Sequence, residues 1–266
     1  MPQTSDSRDF SKLVEGAGDD RKLVLAEGDS WFAYPRKFFL FGADANVIDH
    51  LADYQELIIY NSSSNGDEAL SMLSGEQKFS LIKRLMHNEF DYLLFSGGGN
   101  DIVGKFDFDF FIQPMKPGKN WESCVRKDRV KIRISQIEGS YRTLCELVKD
   151  HSANKQIKVF THTYDKLVPK KEGFKLFDLI PLGKSWLYPY LYNKGIKKKA
   201  DQVAIVDYIL KQFSAALTRV EKKYSFFHVV DTYGTVGQKQ WRNEIHPNSK
   251  GFGKIAKKIY AALNSN

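Results

Sequence analysis

The sequence holds only two cysteines, Cys124 and Cys145, and their spacing matches no metal-ligand motif. Stability therefore has to come from a packed core rather than from a disulfide framework. Long hydrophobic runs are missing as well: no stretch approaches the roughly 20 apolar residues of a membrane helix. The opening residues MPQTSDSRDF lack the apolar region of a cleavable secretory signal. These absences point to a cytoplasmic protein, with export that needs no cleavable signal as the alternative. Neither GxGxxG nor GxxxxGKS/T follows a strand-like segment, which argues against a nucleotide-phosphate site. Arginine is not concentrated among aromatics, as single-strand nucleic-acid binding favours, so no specific nucleic acid is expected. There is no internal repeat and no low-complexity tract.

What is present suits one large α/β domain. The chain has 266 residues, 42% hydrophobic and 27% charged, enough to bury a substantial core. The net charge is +8, with lysines at Lys170-Lys171, Lys197-Lys198-Lys199, Lys254, Lys257 and Lys258. Such a balance attracts anionic partners, and transient contact with a membrane surface is one reading. The spread of the lysines over the chain favours a solvated basic face instead.

Five apolar runs read as strands, at about 22–28, 57–60, 92–95, 157–160 and 226–230. Helical periodicity fills the gaps. Val130, Ile134, Ile137, Tyr141, Leu144 and Val148 share one face of a helix over roughly 125–150, and Val203, Val206, Leu210, Phe213 and Leu217 one over 200–223. A last helix carries Phe252, Ile255, Ala256, Ile259, Tyr260 and Leu263 at helical spacing. Alternating strands and helices imply a five-stranded parallel sheet with helices on both faces, a three-layer α/β/α sandwich. Residues 1–20 read as a loose polar arm, 21–266 as the domain, with insertions near 102–121 and 164–198.

Polar clusters close three of these strands. Gly28-Asp29-Ser30 follows the first, Gly66 the second and Asn100 the third, while His246-Pro247 precedes the last helix. Ligands of open α/β sheets bind at the C-terminal strand edge, so one edge can gather all four. The residue types suit acyl transfer. A serine hydroxyl is a poor nucleophile until an imidazole takes its proton. The tetrahedral intermediate then needs hydrogen-bond donors for its oxyanion. Ser30 offers the hydroxyl and its own N–H, Gly66 a second N–H through close backbone approach, and Asn100 a side-chain amide. His246 is the candidate base. Asp29 and Asp101 raise a magnesium site for phosphoryl chemistry, but hydrogen bonding to their own loops is preferred, so no metal or cofactor is expected.

GDSW at 28–31, NSSSNG at 61–66, GGND at 98–101 and HP at 246–247 resemble the SGNH (GDSL-like) hydrolases. The resemblance implies a flavodoxin-like architecture and metal-independent esterase, lipase or carbohydrate-deacetylase activity. It also implies that Ser30, Gly66, Asn100 and His246 fill the four signature roles. One position departs from it: the family usually has Asp three residues before the histidine, and here it is Asn243. Asn243 can orient His246 through its carbonyl oxygen, Glu244 or Asp231 can supply a carboxylate instead, or Ser30 and His246 can act as a dyad. The expectation is a serine esterase acting through an acyl-Ser30 intermediate on a small-molecule or lipid ester. A carbohydrate deacetylase or acyltransferase on the same residues, and a catalytically weak basic module that binds an anionic polymer or membrane, are the alternatives.

Overall fold

The computed structural model describes residues 3–16, 18, 20–34, 45–104, 107–171, 175–176, 180–181 and 185–265. The stretch WFAYPRKFFLFG after the first strand, which by its aromatic and Pro content reads as a loop, is described only to Tyr34; the rest of it lies outside the described residues, as do parts of the 164–198 insertion.

In chain order the elements are β1 (Gln3–Thr4), α1 (Ser7–Glu15), β2 (Lys22–Gly28), α2 (Ser30–Ala33), α3 (Val47–Leu51), β3 (Leu57–Asn61), α4 (Ala69–Met72), α5 (Gly75–His87), β4 (Tyr92–Ser96), α6 (Gly99–Val103) and α7 (Asp107–Phe111). There follow α8 (Lys127–His151), β5 (Lys158–His162), β6 (Lys175–Leu176), β7 (Ile180–Pro181), α9 (Tyr188–Asn193), α10 (Lys199–Glu221), β8 (Phe227–Val230) and α11 (Ser249–Leu263). The sheet is parallel throughout, in the order β1-β3-β2-β4-β5-β8. β6 and β7 form a separate antiparallel pair.

The central strands are apolar along their length because both faces are covered. Val24, Leu25, Ala26, Leu93, Leu94 and Phe95 are all buried. Helices α4, α5 and α10 pack with α8, while α11 packs with α3 and reaches β5 and β8. α11 shows why: Phe252, Ile255, Ala256 and Ile259 turn inward while Lys254, Lys257 and Lys258 stay in solvent. No helix among the described residues is long and apolar enough to cross a membrane.

Two expectations need correction. Among the described residues the sheet has six strands, not five, and residues 3–16 of the expected arm are not loose. β1 pairs with β3 through Gln3↔Ile59 and Thr4↔Tyr60. Asp6 then caps α1, its Oδ1 accepting from the N–H of Arg8 at 2.8 Å and of Asp9 at 3.0 Å. Phe10 is buried against the rings of Tyr60 and Phe90, at 5.3 and 5.5 Å between centroids. The polar composition hid a helix whose few apolar residues, Phe10, Leu13 and Val14, are spaced i, i+3, i+4.

The order also locates the candidate site. After β2 the chain turns to β3 on one side, and β4 then adds on the other. That reversal opens a crevice at the C-terminal ends of β2 and β4, where Gly28 pairs with Ser96.

Candidate active site

Gly28 is required by packing. A Cβ there would fall 2.7 Å from Ser96 Cβ and 2.9 Å from its carbonyl oxygen. The close approach lets Asp29 N–H donate to Ser96 O at 2.9 Å. Asp29 then caps α2, its Oδ1 accepting from Trp31 N–H at 2.9 Å. Ser30 is thereby the first residue of α2, and its own N–H is one of the unpaired donors of a helix start. Its Oγ lies 2.8 Å from His246 Nε2 across 216 residues of sequence.

Behind Ser30 runs a buried chain of hydrogen bonds whose directions can be assigned. Tyr164 N–H donates to His162 Nδ1 at 3.2 Å, so the ring proton of a neutral His162 sits on Nε2. That proton faces Ser96 Oγ at 2.9 Å, and Ser96 O–H donates to Asp29 Oδ1 at 2.9 Å. The Tyr164 hydroxyl donates to Asp29 Oδ2 and accepts from Gly99 N–H at 3.0 Å. Burial pushes Asp29 up to about 6, with Tyr164, Trp31 and Ser96 pulling it back, and pushes His162 down to about 3. Trp31 stacks on His162 at 5.1 Å and donates from its indole to Ile245 O at 3.1 Å. His162 is thus a fully partnered core residue.

His246 comes from a tight loop. Trp241 and Pro247 form an antiparallel bridge, and Arg242 N–H donates to His246 O at 2.9 Å. Asn243 closes the loop from within: its Oδ1 accepts from the N–H groups of Ile245 at 2.9 Å and His246 at 2.8 Å. The group left to face His246 Nδ1, at 3.1 Å, is the Asn243 amide nitrogen. The expectation that its carbonyl oxygen orients the imidazole is therefore wrong: backbone donors already hold that oxygen. His246 is buried beside the Tyr34 ring at 4.7 Å, and burial, aided by the Arg242 charge, pushes it down to about 3.

Neither alternative carboxylate stands at the histidine. Glu244 turns the other way and accepts from four backbone N–H groups: Lys170 at 2.8 Å, Leu187 at 3.0 Å, Tyr188 at 2.9 Å, and Trp186. Its buried carboxylate, raised by burial, ties the 164–198 insertion to the histidine loop. Asp231 is exposed and accepts from Thr163 Oγ1 at 3.1 Å and Tyr233 N–H at 3.0 Å.

Ser30 and His246 open on a narrow cleft of about 20 Å³. Besides Asn100 and Tyr164 it is lined by Ile102, Val103, Leu167, Leu210 and Ile245. Asn100, on α6, donates through Nδ2 to Asp67 O at 2.8 Å, so its amide stands between the cleft and the loop after β3. Gly66 is on that loop, exposed, and is not among the residues that line the cleft. Its φ is +93°, and a Cβ there would meet nothing within 4 Å. Backbone conformation, not close approach, calls for glycine at this point. Asp101 caps its neighbour rather than its own loop, accepting from Ala69 N–H at 2.7 Å. Within the 102–121 insertion, Phe108 and Phe111 fill core.

Two contributors carried no sequence signal. Tyr164 has φ +58°, unusual for a bulky residue, and bridges the serine and Asn100 segments. Leu210 reaches the cleft from a helix legible only as amphipathic. No family model matches the chain. No curated protein matches it in sequence. Solved structures do match in fold. A protein from Parabacteroides merdae named a GDSL-like lipase is 11% identical, with a TM-score of 0.55 over 92% of this chain and 96% of its own. A protein from Slackia heliotrinireducens named an SGNH hydrolase is 9% identical, with a TM-score of 0.54 over 91% and 99%. A psychrotrophic esterase from a Pseudoalteromonas species is 12% identical, with a TM-score of 0.50 over 91% and 97%. The chain shares the α/β fold of these proteins, the family its motifs resemble.

Proposed function

We propose that this protein is a serine esterase that cleaves a carboxylic ester through an acyl-Ser30 intermediate. One observation carries the proposal: Ser30 Oγ and His246 Nε2 lie 2.8 Å apart at the carboxyl edge of the sheet, facing a cleft. The names of the like-folded proteins, an esterase and a GDSL-like lipase among them, support the same reading.

In this mechanism the Ser30 oxygen attacks the ester carbonyl as its proton passes to His246 Nε2. The carbonyl oxygen takes up the charge and is met by the Ser30 N–H and the Asn100 amide, whereas Gly66, exposed on the loop after β3, does not line the cleft. One well-aimed donor of this kind is worth about 3–4 kcal/mol. His246 returns the proton to the leaving alcohol, and water repeats the sequence to free the acid. An alcohol in place of that water would make the same site a transferase. The narrow cleft and its apolar lining support a short acyl group over a long lipid chain.

Hydrolysis of p-nitrophenyl acetate, butyrate and palmitate by the protein and by Ser30→Ala tests this. The short esters should turn over and the variant should fall to background, a loss of about 10³-fold or more. Equal turnover by Ser30→Ala would refute the proposal.

A further inference from the structure

The hydrogen bonds at Asn243 bear on how well His246 can serve. The amide oxygen accepts from two backbone N–H groups, those of Ile245 and His246. Rotating the amide by half a turn would set its NH₂ against both of those donors. The observed orientation therefore points an N–H at His246 Nδ1, 3.1 Å away. A nitrogen that accepts a hydrogen bond carries no proton, so the single proton of a neutral imidazole sits on Nε2. There it points at Ser30 Oγ, 2.8 Å away.

We propose that Asn243 is a positioning residue that holds resting His246 with its proton on Nε2, so that the ring donates to Ser30 rather than accepting from it, and thereby brakes acylation. The proposal rests on the serine-esterase reading above. For Ser30 to attack, its proton must move to a bare Nε2, and the ring's own proton must sit on Nδ1. That Nδ1–H would meet the Asn243 NH₂, donor against donor. The conflict is relieved only if the amide rotates and abandons the two loop N–H groups. An amide has one acceptor atom and this position needs two. A carboxylate has two: one oxygen for the backbone pair, the other for Nδ1–H. In the charged ring that forms during attack, a carboxylate would also offset the positive charge, which the amide cannot do. Among the described residues, Tyr34 and Arg242, the latter a positive charge, also stand beside the ring, and neither supplies an anion.

The test has two arms. The first reads ring ¹⁵N shifts of His246 in histidine-labelled protein, assigned by loss of the signal in His246→Gln. The wild type should show a protonated Nε2 and a bare Nδ1 from pH 5 to 8, and Asn243→Asp should show the proton on Nδ1. A wild-type proton on Nδ1 would overturn the proposal without touching the esterase reading. The second arm times Ser30 labelling by a fluorophosphonate in wild type and Asn243→Asp. The variant should label between about 10²- and 10⁴-fold faster, the upper figure being the loss seen when a triad aspartate becomes asparagine. Equal or slower labelling in a folded variant would overturn the brake. No labelling in either protein would overturn the esterase reading and the brake with it. The ¹⁵N arm separates these failures, since it needs no turnover.

Discussion

The two walls of the cleft are built on opposite terms. Behind Ser30, each polar group meets its complement: Tyr164 N–H to His162, His162 to Ser96, Ser96 and Tyr164 to Asp29. Behind His246, one amide is asked to accept from two backbone donors while its NH₂ faces the ring. The serine wall is fixed by satisfied bonds between β2, β4 and β5. The histidine wall is closed just as tightly, but with the polarity at Nδ1 opposite to what base catalysis uses. A loop can be well ordered and still hold its histidine in the unproductive form.

Breaking the serine wall should produce the largest change in stability. Asp29→Asn replaces an acceptor of three hydrogen bonds by a group that also donates. It should destabilise the fold in urea unfolding by roughly 3 kcal/mol at pH 5 and by less at pH 7.5, where burial already burdens the ionised carboxylate it replaces, and slow Ser30 labelling as well. Unchanged stability would mean that the network does not anchor the serine turn.

A buried carboxylate away from the cleft sharpens the contrast. Glu27, inside β2, accepts from Ser62 Oγ at 2.6 Å and lies 3.4 Å from Arg84. Burial raises it from 4.5 to about 7. Because the folded value exceeds the unfolded one, its burden is absent below about pH 4.5 and complete above about pH 7. Glu27→Gln should therefore raise stability by roughly 2 kcal/mol at pH 8 and by almost nothing at pH 4.5, read from unfolding at both pH values. A gain independent of pH would assign the effect to packing instead.

The smallest effect is expected at Tyr164. Tyr164→Phe removes the acceptor of Gly99 N–H and one donor to Asp29, and should cost about 1 kcal/mol in urea unfolding. Turnover of short esters should fall roughly tenfold as Asn100 loosens relative to Ser30. A change in KM alone would place the hydroxyl's effect on binding.

Much of this architecture was readable in the residues. The runs at Lys22–Gly28, Leu57–Asn61, Tyr92–Ser96, Lys158–His162 and Phe227–Val230 announce themselves because strands covered on both faces must be apolar throughout. The placing of Ser30 and Asn100 just after two of those strands, with His246 before the last helix, then implies a shared edge. β1 escaped notice because two polar residues at a sheet edge need no apolar pattern. The direction of the Asn243 amide was beyond reach for another reason. It is decided by two N–H groups of its own loop, whose geometry no residue identity specifies. Glu244 faces away from His246 because backbone donors of a distant insertion claim it.

Covalent capture of Ser30 tests the central claim most directly. Folded protein is treated with a fluorophosphonate, and the modified peptide is located by mass spectrometry. The account predicts a single adduct on Ser30, abolished in Ser30→Ala and strongly slowed in His246→Ala. Folded protein that remains unmodified, or carries the adduct on another residue with Ser30 untouched, would contradict it.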